Sequence, residues 1–239
     1  MALSINKDSI WEEQIVYEDN HILIINKMPS ELVQGDKTGD MPLSEKIKNY
    51  LKIRENKPGN VFCGVIHRLD RPVSGLVIFA KTSKALSRFN ELFREKDIQK
   101  SYLAVVKNRP PKEKDTLVHY LLKNEKTNTS KAFVKPVTHA LKASLDYELM
   151  ASSDNYHLLK INLHTGRHHQ IRAQLSAIAC PIKGDLKYGF PRTNEGGFIH
   201  LHSFGIAFVH PIKKEALYIT AWPLSADPVW NYFKNQLSE

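Results

Sequence analysis

Gly64-Val65-Ile66-His67-Arg68-Leu69-Asp70-Arg71-Pro72-Val73-Ser74-Gly75-Leu76-Val77-Ile78-Phe79-Ala80-Lys81 runs a charged turn directly into an apolar strand. Leu76 to Ala80 carries no charge and is rich in branched and aromatic residues, the composition of a strand covered on both faces. Ahead of it a single carboxylate, Asp70, stands among three potential cations, His67, Arg68 and Arg71. In extended backbone, residues two apart share a face, so Arg68 and Asp70 point the same way. Beyond Lys81, Thr82 or Ser83 caps a helix whose Leu86, Phe89, Leu92 and Phe93 make one apolar face.

The same reading extends outward. Ile22 to Ile25 is a short buried strand, and Pro42 to Ile53 carries Leu43, Ile47 and Leu51 at helical spacing. Tyr102 to Val106 is another strand. In Tyr156 to Leu163, Leu159, Ile161 and Leu163 alternate with Lys160 and Asn162, a strand with one wet face. His168 to Ala179 places Ile171, Leu175 and Ile178 on one helical face. Ile206 to Val209 and Leu217 to Ala221 read as strands about a Pro-Lys turn, and Asp227-Pro228 opens a last helix with Trp230 and Phe233. Asn108 to Lys114 is a turn. Lys123 to Lys142 holds five lysines against one acid, Glu125, and reads as exposed loop or hairpin. Strands outnumber helices and do not alternate with them, which gives an α+β class. One domain over residues 15–239 is expected, after an N-terminal extension over residues 1–14.

The chain has 34 basic and 25 acidic residues, a formal charge of +9. A basic surface attracts polyanions, chiefly nucleic acid, by neutralising phosphates and releasing counterions. Cys63 and Cys180 form no Cys-x-x-Cys pair and read as buried free thiols, suited to a reducing cytoplasm. No secretory signal is read at the start, and no run approaches 18 apolar residues, so no membrane span is expected. Histidines cluster at His164, His168 and His169 and again at His200, His202 and His210, without the spacing of a metal site; no metal is expected. Gly35 to Gly39 lacks a full phosphate-loop pattern and reads as a turn.

Guanidinium charge beside Asp70 favours its ionised form. Taken alone, Arg68-Leu69-Asp70 is open to two readings: an ionised nucleophile or base beside a phosphate-binding arginine, or a salt-bridged loop. The wider pattern narrows the choice. His67-Arg68-Leu69-Asp70-Arg71, then Ser74-Gly75 and a strand ending Ala80-Lys81, resembles the signature of the RluA-type RNA pseudouridine synthases. Asn26-Lys27, Lys100-Ser101-Tyr102 and Thr165-Gly166-Arg167-His168-His169-Gln170-Ile171-Arg172 are similar to three further motifs of that family, in the same order. Gly184-Asp185 and Tyr188-Gly189 resemble another. The resemblance runs from about Ile15 to Trp222. It departs at Met28 to Gln34 and at Pro72-Val73, away from the groups assigned to chemistry.

The resemblance implies a mixed, largely antiparallel central sheet with flanking helices, and isomerisation of uridines in structured ribosomal or transfer RNA without a cofactor. It implies Asp70 as the catalytic aspartate, Tyr102 against the target base, and Arg172 paired with Asp70. Arg68 would help hold the RNA with its nucleotide extruded, joined at the RNA by His67, Arg71 and Arg167, with Ile171 lining the pocket. A monomer is expected, without the small N-terminal RNA-binding domain that many relatives carry. Two other classes fit parts of the pattern. One is a non-catalytic RNA-binding module, against which the joint presence of Asp70, Tyr102 and Arg172 argues. The other is a nucleoside or glycoside hydrolase, which needs a second carboxylate; no partner acid is evident in the sequence near these motifs.

Overall fold

The computed structural model describes residues 10–238. Its centre is one eleven-stranded sheet. In chain order the strands are β1 (Ile15–Glu18), β2 (Ile22–Lys27), β3 (Gly64–Val65), β4 (Ser74–Ala80), β5 (Gln99–Val106), β6 (Lys114–Asn124), β7 (Thr129–Phe133), β8 (Leu141–Ser152), β9 (His157–Leu163), β10 (Leu201–Val209) and β11 (Ala216–Thr220). The helices are α1 (Leu43–Arg54), α2 (Ser83–Glu95), α3 (Gln170–Ala177) and α4 (Pro228–Gln236). Strand order is β1-β2-β4-β10-β5-β9-β8-β6-β7, with β11 on β10 and β3 on β4. Only β4 and β10 run parallel; the other pairs are antiparallel. The sheet is therefore mixed and largely antiparallel, as expected.

Period-two alternation explains how β2 and β4 feed two cores. Leu23, Ile25, Val77 and Phe79 meet Leu43, Ile47 and Leu51 of α1. Ile22, Ile24, Leu76 and Ile78 meet Phe89 of α2 on the opposite face. The α2 cap is as expected: the Thr82 side chain accepts from the Ala85 amide at 3.1 Å. Asp227 caps α4 in the same way.

Several features differ from the sequence expectation or refine it. The long strands β6 and β8 lie mostly over residues 115–122 and 143–152, where no element was read. Their buried positions include His119, Ala143 and Tyr147 beside leucines, so the apolar alternation is diluted by small and polar residues. The Lys123–Lys142 segment is resolved between its two readings, hairpin and loop: it holds the end of β6, the turn, β7, a loop and the start of β8. The helix expected from His168 starts at Gln170, because His169 adopts a left-handed conformation at φ 51°. Cys63 is only half-buried, while Cys180 is buried; both are free. Of the expected N-terminal extension, residues 1–9 lie outside the described residues. Ile10 is buried against α1 and β2, and the Gln14 amide bonds Glu31 at 2.8 Å.

Candidate active site

Asp70 stands in the turn between β3 and β4, and that turn is pinned from below. Lys27, at the end of β2, is almost wholly buried. Its ammonium donates to the carbonyls of Met28 at 2.9 Å, Arg71 at 3.2 Å and Val73 at 2.6 Å. Burial lowers its pKa to about 7. The Val73 amide closes the turn on the Asp70 carbonyl at 3.0 Å. Gly75 follows because β10 crosses here: a Cβ at φ 114° would lie 2.4 Å from the Ser203 carbonyl oxygen. Ser203 is the register partner of Tyr102 on β5. One backbone crossing thus brings β4, β10 and β5, and with them Asp70 and Tyr102, to the same cleft.

The third side is α3. Arg172 is 4% exposed. Its Nη1 donates to Asp70 Oδ2 at 3.1 Å, while Nε and Nη2 form a bidentate pair with Asp185 at 2.7 and 2.8 Å. The guanidinium also lies 4.9 Å from the Tyr188 ring centroid. Burial works against its charge, but the two carboxylates raise its pKa on balance. A planar fork with five donors suits this double engagement, which an ammonium cannot reproduce. Asp185 is itself buried. A second acid therefore does stand near the motifs, contrary to the sequence expectation, but its carboxylate is spent on Arg172.

The cleft between these elements has a volume of about 1230 Å³. Asp70, Tyr102, Ile171 and Arg172 line it, with basic Arg68 and Arg167 alongside. Asp70 is part-buried, with a side-chain exposure of 34%. Tyr102 is buried, and its phenol is pushed up to about 12 by desolvation and by the Asp70 charge, with Ser203 pulling the other way. The ring is a neutral phenol at physiological pH. Lys100 also lines the cleft, 5.1 Å from the Phe93 ring centroid, and burial lowers its pKa.

The expected RNA-facing residues divide. Arg68 is exposed and lines the cleft, as do its neighbours His67, Leu69 and Asp70 in this irregular segment. Arg167 lies on the rim and donates to the Lys142 carbonyl at 3.2 Å. His67 lines the cleft, but its Nε2 accepts from the Ile78 amide at 3.1 Å, and burial depresses its pKa to about 3. It is neutral and splices the Asp70 segment to β4, so it offers no cation. Arg71 is not part of the cleft lining: its guanidinium pairs with Asp40 at 2.5 Å, and its carbonyl accepts from Lys27. Ile171 both lines the cleft and packs in the core.

Sequence reasoning gave no role to Lys27, Asp185, Tyr188 or His169. Each lies inside a recognised motif, so position was signalled but function was not. Among the described residues, no group of three or more His, Cys, Asp or Glu side chains is arranged to hold a metal.

Comparisons with known proteins bear on family and fold. Residues 21–177 match the family model described as RNA pseudouridylate synthase. The chain is 32% identical to the tRNA pseudouridine synthase C of Haemophilus influenzae, over 93% of this chain and 97% of that protein. It is also 32% identical to the ribosomal large subunit pseudouridine synthase C of the same organism, over 92% of this chain and 68% of the relative. Among solved structures, the human RNA Pseudouridylate Synthase Domain Containing 4 has a TM-score of 0.76 at 20% identity, covering 95% of this chain and 93% of its own. That last likeness concerns the fold.

Proposed function

Because the chain belongs to the RNA pseudouridylate synthase family, and is thus an isomerase that makes pseudouridine in RNA, we propose that Asp70 is its catalytic carboxylate and that its substrates are uridines in structured ribosomal or transfer RNA. One observation carries the assignment: Asp70 Oδ2 is held by a buried, doubly paired arginine, and Oδ1 accepts no hydrogen bond from any described residue. One oxygen is anchored and the other is left without a hydrogen bond, on a residue that lines the cleft.

The reaction breaks the bond from base N1 to sugar C1′, turns the base, and forms a bond from C5 to C1′. The C5 hydrogen leaves as a proton and N1 gains one, so the atoms balance without a nucleotide cofactor or metal. Asp70 serves in one of two ways. As a nucleophile it bonds C1′ while N1 departs, and leaves again when C5 attacks. As a base it removes the 2′ proton and later returns it. Arg172 keeps the carboxylate ionised and oriented in either route. Tyr102 packs on the turned base, and its hydroxyl takes part in the late transfer of the C5 proton. Arg68 and Arg167 supply phosphate contacts at the mouth of the cleft, where an extruded nucleotide must enter. The Lys123–Lys142 segment adds longer-range attraction. The relatives divide between transfer and ribosomal RNA by name, which supports both as candidates. The proposal also takes the chain as a monomer in a reducing cytoplasm, in keeping with its two free thiols.

The test follows from the C5 proton. Unmodified transcripts of transfer RNAs and large-subunit ribosomal RNA, tritiated at uridine C5, should release tritium to water with the wild-type protein and only background with Asp70→Asn. Binding and melting temperature should be nearly unchanged in that variant, because the amide keeps the shape and removes only the charge. Turnover near the wild-type rate would remove Asp70 from the chemistry, and free uracil as product would identify a hydrolase. Mapping pseudouridines across cellular RNA with and without the gene would name the RNA.

A further inference from the structure

The clamp on Asp70 has a second jaw. His169 Nε2 lies 3.3 Å from Asp70 Oδ2, the same oxygen that Arg172 holds. The other ring nitrogen, Nδ1, is 2.9 Å from the Tyr188 hydroxyl. That hydroxyl already accepts the Ser130 backbone amide at 2.8 Å. A hydroxyl has one proton to give, and with its oxygen turned to an amide donor it gives that proton to His169 Nδ1. The remaining ring proton is then on Nε2, the nitrogen that lies at ion-pair distance from Asp70. The chain Ser130 N–H to Tyr188 Oη–H to His169 Nδ1 thus selects one imidazole tautomer, as the partner of one ring nitrogen does elsewhere.

Three further observations point to His169 as a built part rather than a bystander. Its backbone is left-handed, at φ 51° and ψ 29°, immediately before α3. Such strain in a non-glycine residue persists only where its surroundings hold it. The ring is buried and stacked on His168 with centroids 3.8 Å apart. The base of the stack is fixed too, since Ser130 Oγ lies 2.9 Å from His168 Nδ1 and 2.8 Å from the His168 carbonyl. Burial keeps the His169 ring neutral, with its pKa lowered to about 3. It therefore faces Asp70 as a neutral polar ring with Nε2 at 3.3 Å, without adding a second full positive charge.

We propose that His169 is a positioning residue for the reaction: together with Arg172 it holds Oδ2 of Asp70, with its tautomer set by Tyr188, so that Oδ1 alone is presented to the sugar. The assignment rests on the catalytic role proposed for Asp70. It also ties the β6–β7 hairpin to the chemistry, because Ser130 belongs to β7 and begins the chain that ends at Asp70.

Single-turnover tritium release, RNA binding and melting temperature, measured side by side on the full chain, test it. His169→Asn suits the left-handed backbone but does not reach Asp70. It should slow the single-turnover rate by about ten- to a hundredfold, the scale of one missing hydrogen bond to a charged group. RNA affinity should stay within about twofold of wild type, well below one hydrogen bond's worth. His169→Gln places an amide nitrogen near the position of Nε2 and should recover most of that loss. A purely structural role would give the opposite order, with the better-tolerated Asn the more active variant, and that result overturns the proposal. So does a wild-type rate in both. If either variant fails to fold, nitrogen chemical shifts of His169 in the unaltered protein decide: a protonated Nε2 with a bare Nδ1 supports the inference, and the reverse tautomer or a doubly protonated ring refutes it. Asp70→Asn separates the two levels. If it is inactive while His169→Asn turns over normally, the positioning role alone fails; if it is active, both fall.

Discussion

Arg172 and the lysines of the Lys123–Lys142 segment are all cations, and they behave in opposite ways. Arg172 is buried, engages two carboxylates and an aromatic ring, and has no freedom left. Lys123, Lys126, Lys131, Lys135 and Lys142 are exposed, and none lines the cleft. Of these, Lys123 pairs with Glu125 at 2.7 Å and Lys131 lies 5.3 Å from the Phe133 ring centroid, weak tethers in water. A buried charge carries geometry, and its loss strands its partners. A solvated charge carries field, and its loss is shared among neighbours. The first kind belongs to turnover and stability, the second to affinity and its response to salt.

The largest expected effect tests the first half of that contrast. Arg172→Ala leaves Asp185 buried and unpaired, and should cost about 3–5 kcal/mol of stability as well as tritium release. Arg172→Lys restores one charge but no fork, so it should recover part of the stability and little of the activity. Urea melts and single-turnover rates read both. An Arg172→Ala protein whose only defect is weaker RNA binding would place this arginine with the lysines and erase the distinction.

Tyr102→Phe should act on chemistry without touching charge. The ring still packs on the base, but the late proton transfer is removed. The expected result is a stalled adduct or cleaved glycosidic bond, with tritium release down by about a hundredfold or more, within the range that one acid–base group contributes. Unchanged release would take Tyr102 out of the reaction and leave it a packing residue.

Acidity sharpens the contrast in another way. Burial depresses His67 and His169 to about 3 and His202 to about 4, so the folded protein keeps all three neutral. Unfolded, they titrate near 6.5. Above that pH neither state binds the protons and stability is full. As pH falls toward 4 the unfolded chain takes up protons that the folded one refuses, and stability drops. The slope should approach about 1.4 kcal/mol per histidine per pH unit. Asp19 and Asp227, held down to about 2, add a loss only below about pH 4. Unfolding free energies at pH 7, 6 and 5 that agree with one another would contradict the burial of these rings.

The smallest effect per residue lies in the hairpin. Neutralising Lys126, Lys131 and Lys135 together should weaken RNA binding and flatten its log–log salt dependence by about 0.7 to 0.9 for each phosphate that is no longer neutralised. Turnover at saturating RNA should remain near wild type. An identical salt slope in the triple variant would assign phosphate binding to Arg68, Arg167 and the other basic residues at the cleft instead.

How much was legible beforehand depends on the range of the forces involved. Strands β2, β4, β5 and β9 and the apolar faces of the helices follow from local patterning, because burial on a regular element repeats every two or about 3.6 residues. The identity of Asp70, Tyr102 and Arg172 followed from motifs quoted in order, and the sign of the overall charge from composition. β6 and β8 escaped because His119 and Ala143 are buried by neighbouring elements, in positions that local polarity does not mark. Arg71 and His67 looked like further RNA contacts because adjacent residues share a motif. In the fold one turns to Asp40 and the other to the Ile78 amide.

What the chain alone determined is which chemical groups are available and roughly which elements carry them. Tertiary structure decided which of those groups meet. Asp70 and Arg172 are 102 residues apart, and Asp185 joins them only because α3 and the segment after it fold back against the β3–β4 turn. Such meetings depend on sheet order and on close passages like that of Gly75 against Ser203, where a single Cβ would not fit. Local periodicity holds no information on partners so far along the chain. The tautomer of one histidine, set by a tyrosine and a backbone amide from two other segments, is therefore a property of the folded molecule.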